Sequence, residues 1–174
     1  MIKKILLIIP LFIAVILQVS FFPAFSRLSS FNLLLNILIF ICIIMDFDKS
    51  LLLSLIFGIL LDIFSSLNFG IITICFVLTL ISVNFLFHAL FTNKSLYTLL
   101  ALGLIGTLIY SSLIYILNYA CFMLNLTELN IILNFQYFTD IFWQVVLGAF
   151  FLILSFFIYK SVSKKLQSVF IITD

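Results

Sequence analysis

Charged residues are scarce in this chain. Lysine, arginine, aspartate and glutamate make up 8% of its 174 residues, whereas soluble domains contain about 25%. This shortage excludes a soluble globule, and a hydrophobic content of 66% with a mean hydropathy of +1.47 excludes a disordered chain. The net charge is only +2, without a basic stripe between the two ends, which argues against nucleic-acid binding. An integral membrane protein is the class that remains.

The residues that usually carry chemistry are equally sparse. The chain has one histidine, His88, and three cysteines within apolar runs, with no CxxC pair or Cys/His cluster for a disulfide or a metal. It has no P-loop, no GxSxG, no HExxH and no paired carboxylates at catalytic spacing. We therefore expect no enzyme, no catalytic residue, no cofactor and no metal site. For His88 we expect a structural or interfacial role, with proton relay as the weaker alternative.

Six apolar runs account for most of the chain. They predict an all-α, polytopic membrane protein, a single transmembrane domain over residues 1–174 in which six helices form one bundle. The predicted spans are residues 5–22, 31–45, 51–64, 69–91, 96–124 and 141–159. The first run is longer than the apolar region of about 7–15 residues in a signal peptide, which favours a retained helix over a cleaved one. The second and third runs are short, so a re-entrant hairpin is the alternative to two crossings.

The basic residues predict an orientation. With six crossings and a cytoplasmic N-terminus, Arg27 is the only basic residue in an outer loop. All other basic residues then fall on the cytoplasmic side: Lys3, Lys4, Lys49, Lys94, Lys160, Lys164 and Lys165. This distribution agrees with the positive-inside rule, and it predicts that both termini are cytoplasmic.

Small and polar residues recur at helical spacing within the apolar runs. Such residues face the bundle interior in membrane proteins, because lipid offers them no hydrogen-bond partners. The faces are Asn32 with Asn36; Ser54, Gly58 and Asp62; Gly103, Thr107, Ser111 and Asn118; and Asp140, Gln144 and Gly148. Close helix packing and an outward-opening ligand pocket or partner surface both explain this pattern, and both interpretations stay open.

Asp62 is the only acidic residue well inside an apolar run. A carboxylate at that depth is expensive, and no lysine or arginine lies within a span to pair with it. We expect the polar groups of serine, asparagine or tyrosine side chains, or backbone N–H groups near the Ser65–Asn68 turn, to bind it. A structural lock and a functional site are the two alternatives.

The segment Phe57–Gly70, FGILLDIFSSLNFG, resembles the signature of the rod shape-determining protein MreD family. That signature has a glycine, three apolar residues, an aspartate, a short turn of small residues, and then phenylalanine or leucine with glycine. Two further segments are similar to the family: Gln18–Pro23 resembles the end of its first helix and Asn32–Leu35 the start of its second. Phe31 stands where the family often has proline.

The resemblance implies a non-enzymatic scaffold in the bacterial inner membrane that belongs to the cell-wall elongation complex and maintains rod shape. The implied partners are MreC, the actin-like MreB, and RodA with its penicillin-binding protein, besides membrane lipid. Gly58, Asp62 and Gly70 fall on the family motif. Together with Asn32 and Asn36, they are the candidate packing or partner-binding residues.

A related motif occurs in the substrate-binding components of energy-coupling-factor vitamin transporters, which are also six-helix proteins. This is the alternative function. Those proteins commonly carry an Ala-x-x-x-Ala pattern in the first helix for docking to the energising module. Here Gln18 follows Ala14 at that spacing, so the pattern is absent.

Overall fold

A computed structural model describes residues 13–25, 29–91, 93–124 and 134–170, with side chains as far as Ser161. Every regular element in these segments is helical, which confirms the all-α class for this part of the chain. The helices are α1 (Ile13–Ala24), α2 (Leu33–Ile44), α3 (Phe47–Phe64), α4 (Ile71–Leu90), α5 (Leu96–Met123) and α6 (Phe135–Phe170). Helix α1 is irregular, since it passes into a π-helical turn at Leu17–Phe21 and a 3₁₀ turn at Phe22–Ala24.

Consecutive helices alternate between two ends of the molecule. At one end, the ammonium of Lys94 in the α4–α5 turn donates to the carbonyl of Ile44 at the end of α2, at 3.0 Å. Lys49 lies in the first turn of α3 at the same end, so we call this the lysine end. At the other end, Asp62 of α3 binds the start of α4, and we call this the Asp62 end. Helix α3 therefore runs the whole length of α4.

Helix α2 is the centre of the structure. It contacts α3, α4, α5 and α6, and Leu34, Leu35, Leu38 and Ile39 are fully buried. With 12 residues it is about 18 Å long, which is shorter than the hydrocarbon core of about 30 Å. A short apolar helix of this kind is typical of a protein core, and its neighbours here cover it.

Within the described residues, three helices are long and apolar enough to cross a membrane: α4, α5 and the first part of α6, Phe135–Ser161. Helix α3 has 18 residues but carries Asp48, Lys49 and Asp62, which lower its hydropathy. Large apolar side chains cover the outside, where Leu52, Ile63, Phe85, Phe150 and Phe157 are each more than half exposed. These features suggest a membrane protein, because a soluble monomer rarely exposes such continuous apolar surface.

The structure corrects one part of the sequence interpretation at the lysine end. Residues 46–50 lie between the predicted spans 31–45 and 51–64, but α3 begins at Phe47 and includes most of them. Lys49 pairs with Asp46, and both are exposed. This ammonium holds the pKa of the Asp46 carboxyl below its usual range. Ser50 is instead fully buried, because the helix turns it towards the core.

Helix α6 also begins earlier than the predicted span, at Phe135 rather than Ile141. Several predictions fall outside the described residues: the first part of the 5–22 span with its retained-helix interpretation, the basic residues Lys3, Lys4 and Arg27, and the side chains of Lys164 and Lys165.

The contact of α5 with α2 and α4 generates a stability prediction. A Cβ atom at Gly106 would lie 2.8 Å from Ile39 Cδ1 and 3.1 Å from Val83 Cγ2. We expect Gly106→Leu to destabilise the protein by about 1–3 kcal/mol through overpacking. Thermal unfolding in detergent measures this. Ala120→Leu, at an exposed position of the same helix, is the matched control, and equal melting temperatures of the two variants would contradict the packing described here.

Candidate functional site

Asp62 caps helix α4 from the neighbouring helix. Its Oδ1 accepts from the backbone N–H of Ile72 at 3.0 Å. Its Oδ2 accepts from the N–H of Thr73 at 3.1 Å and from the Thr73 hydroxyl at 2.6 Å. The first N–H groups of a helix have no partner within the helix and carry partial positive charge, so a carboxylate there is doubly favourable. The Asp62 side chain is only 4% exposed, yet both of its oxygens are satisfied.

Gly70 explains why the cap comes from another helix. It occupies the N-cap position of α4, where other helices use a serine, threonine, aspartate or asparagine side chain. Its φ of +97° lies in the left-handed region, which glycine adopts without the usual steric cost. The tight turn therefore selects a residue that has no side chain to cap with, and Asp62 supplies the missing acceptor.

Gly58 brings the two helices close enough for this bond. A Cβ atom at Gly58 would lie 2.5 Å from Thr73 Cα and 2.7 Å from Thr73 Oγ1. Gly58 and Asp62 are one turn apart on the same face of α3, so the close approach and the carboxylate act on the same turn of α4. We call Gly58, Asp62, Gly70 and Thr73 the Asp62 clasp.

The clasp agrees with part of the sequence interpretation. Backbone N–H groups do bind Asp62, but they belong to Ile72 and Thr73 in α4 and not to the Ser65–Asn68 turn, and the hydroxyl that binds it is that of Thr73 and not of a serine or tyrosine. The Ser65 hydroxyl accepts instead from the N–H of Leu67 at 3.0 Å. Thr73 was absent from the candidate residues, although its place three residues after Gly70 marks it as part of the first turn of α4.

A second cap lies at the same end, where α1 meets α2. The N–H of Leu33 donates to Gln18 Oε1 at 2.7 Å, and Gln18 Nε2 donates to the carbonyl of Phe31 at 2.9 Å. Asn32 is the N-cap residue of α2 and accepts from the N–H of Leu35 at 3.0 Å. Its side chain also lies beside Tyr110 of α5. Asn32 is thus placed where the start of α2 meets α5.

Asn36 lies one turn further into the bundle and is fully buried. Its Nδ2 donates to the carbonyl of Asn32 at 2.8 Å, while its Oδ1 has no hydrogen-bond partner among the described residues. A Cβ atom at Gly148 would lie 2.9 Å from that oxygen, so Gly148 provides the space for the Asn36 amide. The structure therefore places Asn32 and Asn36 on α2, where they take no part in the hydrogen bonds of the clasp between α3 and α4.

An open cavity of about 350 Å³ lies at the Asp62 end between α1, α2, α5 and α6. We call it the polar cavity. Its polar lining is Gln18, Ser29, Ser30, Asn32, Tyr110, Ser111, Tyr137, Asp140 and Gln144. A smaller hollow of about 270 Å³ shares Gln18, Asn32 and Tyr110 with it and reaches Ser65 and Ile72 beside the clasp. The two features therefore adjoin.

Hydrogen bonds fix one wall of the polar cavity. The Ser111 hydroxyl donates to Gln144 Oε1 at 3.2 Å, and the Tyr137 hydroxyl donates to the Ser111 carbonyl at 2.9 Å. Gln144 is only 7% exposed. Asp140 is exposed and is the only charged residue among the described residues of the lining.

The helix faces of the sequence analysis contain part of this lining. Ser111 belongs to one face and Asp140 with Gln144 to another, and the structure brings them together around one cavity. Of the five candidate residues only Asn32 lines it. Tyr137 was missed because it lies between the predicted spans 96–124 and 141–159, and helix α6 extends through it.

The described residues contain no group of three histidine, cysteine, aspartate or glutamate side chains that could hold a metal ion. His88 is exposed near the lysine end, with its ring against Phe87. Comparison of the chain with family models, curated proteins and solved structures gives no match. A functional assignment therefore depends on the geometry together with the sequence resemblance.

The clasp generates a prediction for Asp62. We expect Asp62→Ala to lower the free energy of unfolding by about 1–3 kcal/mol, because the N–H groups of Ile72 and Thr73 lose their acceptors in a buried place. Asp62→Asn keeps one acceptor oxygen and should cost less. Thermal unfolding in detergent measures both variants. Asp48→Ala, at an exposed position of the same helix, is the control, and an Asp62→Ala protein as stable as this control would refute the capping role.

Substitutions of the two glycines in the clasp should destabilise the protein for different reasons. Gly70→Ala has no steric neighbour within 4 Å, so it should cost only the backbone strain of a left-handed residue, about 1–2 kcal/mol. Gly70→Asn should recover part of this cost, since asparagine tolerates that region. Gly58→Ala should cost more, because its Cβ meets backbone that cannot move aside, and Gly58→Asn should be worse still. Thermal unfolding in detergent measures these variants. A melting temperature of Gly58→Ala equal to or above that of Gly70→Ala would contradict this difference.

Proposed function

We propose that the protein is a non-enzymatic scaffold of the bacterial cell-wall elongation complex that maintains rod shape, as its resemblance to the MreD family implies. The observation that carries the proposal is the Asp62 clasp. Gly58, Asp62 and Gly70, the residues that fall on the family motif, meet in one hydrogen-bonded unit with a single structural effect. The clasp fixes α3 against α4 and so presents a rigid helix pair to partners.

The proposed setting is the bacterial inner membrane, crossed six times. Supporting this, α3 runs the length of α4, and the α2–α3 and α4–α5 turns meet at the lysine end. Lys49 and Lys94 both lie at this end, which the positive-inside rule assigns to the cytoplasm. An even number of crossings then leaves both termini cytoplasmic.

The outward face of α3 is the proposed partner surface. Leu52, Ile56, Ile59 and Ile63 follow one another at helical spacing, and each is between 45% and 61% exposed. We call this row the α3 stripe. Helix association in membranes depends on close packing, which a rigid partner face favours. The expected partners are membrane spans of MreC and of RodA with its penicillin-binding protein, while the lysine end faces MreB.

Affinity purification in mild detergent with mass spectrometry of the recovered proteins tests the proposal. We expect MreC and the peptidoglycan synthases to be recovered with the wild-type protein. Replacing Ile56 and Ile59 of the α3 stripe by tryptophan should lower their recovery several-fold, because bulky rings prevent close approach. Ile81→Trp, on the exposed face of α4, is the control. Equal recovery of the partners with the wild type, the α3 stripe variant and the control would show that the α3 stripe is not the partner surface. Absence of these partners from the wild-type sample would refute the scaffold function.

The polar cavity favours a second candidate function, a substrate-binding component of an energy-coupling-factor type transporter. A cavity of about 350 Å³ with convergent polar groups has the size and chemistry of a small-molecule site. In the same purification, recovery of a membrane coupling protein with ATPase subunits would support this function in place of the scaffold.

A further inference from the structure

The hydrogen bonds in the polar cavity determine which groups remain for a ligand. The hydroxyl protons of Ser111 and Tyr137 are both donated to protein acceptors. A hydroxyl that has donated its proton can still accept through its oxygen. The Asp140 carboxylate, when ionised, is an acceptor only. The wall formed by Ser111, Tyr137 and Asp140 therefore offers mainly hydrogen-bond acceptors. A ligand that fits it is rich in N–H or O–H donors.

The charge of Asp140 further restricts the kind of ligand that fits the cavity. Asp140 is the only charged residue among the described lining residues, and it is exposed. The apolar residues Phe31, Ile114 and Ile141 complete the lining, and low-polarity walls strengthen the field of a carboxylate. Tyr110 and Tyr137 add aromatic rings, whose faces attract cations. A positively charged group is the complement of this site.

An amide group lies deeper in the cavity. Gln144 is only 7% exposed, and its Oε1 is bound by Ser111. The Nε2 of the same amide is a hydrogen-bond donor. Asp140 and Gln144 are separated by one turn on α6, about 6 Å along the axis. The lining therefore places a carboxylate and, about one turn away, an amide donor along one helix.

We propose that the polar cavity binds a small organic amine that also carries a hydroxyl or carbonyl oxygen. The ammonium group lies between Asp140 and the Tyr137 hydroxyl, and the oxygen accepts from the Gln144 amide. This inference deepens the second candidate function, on whose cavity it rests, and it is independent of assembly with cell-wall proteins.

Binding of three matched probes to the full chain in lipid nanodiscs, measured by isothermal titration calorimetry, tests the charge requirement. The probes are 3-hydroxybenzylamine, 3-hydroxybenzyl alcohol and 3-hydroxybenzoate, which share a ring and a hydroxyl but differ in charge. We expect the amine to bind at least ten-fold more tightly than the alcohol, and the carboxylate to show no binding. Absence of amine binding, or similar affinity for all three probes, would overturn the proposal without any variant being needed.

Two variants locate the site. Asp140→Asn should lower the affinity for the amine at least ten-fold and leave the weaker affinity for the alcohol unchanged, whereas Gln144→Leu should weaken both. Asp48→Asn, at the lysine end, should change neither. Full amine affinity in Asp140→Asn would overturn the assignment of the cavity. Recovery of coupling and ATPase subunits without amine binding would refute this inference alone, while amine binding without those subunits would refute only the transporter function.

Discussion

The capping of α4 by Asp62 is the interaction on which the rest of the structure depends. In an apolar environment every backbone N–H group needs a partner, and a helix start inside the bundle exposes several that have none. The α3–α4 turn requires a left-handed residue at the N-cap position, so the local chain provides no capping side chain. A carboxylate from the preceding helix resolves this conflict. It also explains why a buried acidic residue is tolerated without a basic partner: its charge meets the positive end of α4 and its oxygens accept hydrogen bonds from Ile72 and Thr73.

The same constraint governs α2. Its first free N–H group, that of Leu33, is bound by Gln18 of the preceding helix. Two of the hairpins therefore use one device, in which a polar side chain near the end of a helix completes the start of the next. Each of these bonds joins two consecutive helices, so it fixes how far one helix is shifted along the axis of the other. Apolar packing alone would allow the two helices to slide past each other.

Hydropathy predicted the all-α class that the described residues show. The expense of a charge among apolar residues drew attention to Asp62, which the structure places in the clasp. The sequence placed the partners of Asp62 in the wrong segment, because spacing along α3 does not reveal which turn of α4 lies opposite. It left residues 46–50 outside the predicted spans, because their polarity outweighed the helical position that buries Ser50. It identified the faces of α5 and α6 but not their meeting in one cavity, which depends on the relative depth of helices and not on any residue pattern.

That depth also explains the polar cavity. Helix α2 has 12 residues, whereas α5 has 28, and α6 begins with a further stretch of helix at the Asp62 end. Gln18 and Asn32 hydrogen-bond the start of α2, and α5 and α6 continue beyond it, where no helix of the described residues covers their inward faces. Phe31 and Asn32 then line the base of the cavity, and Ser111, Asp140 and Gln144 its sides. The cavity is thus a direct consequence of a short central helix, and the residues that cap this helix are the same ones that give the cavity its polar base.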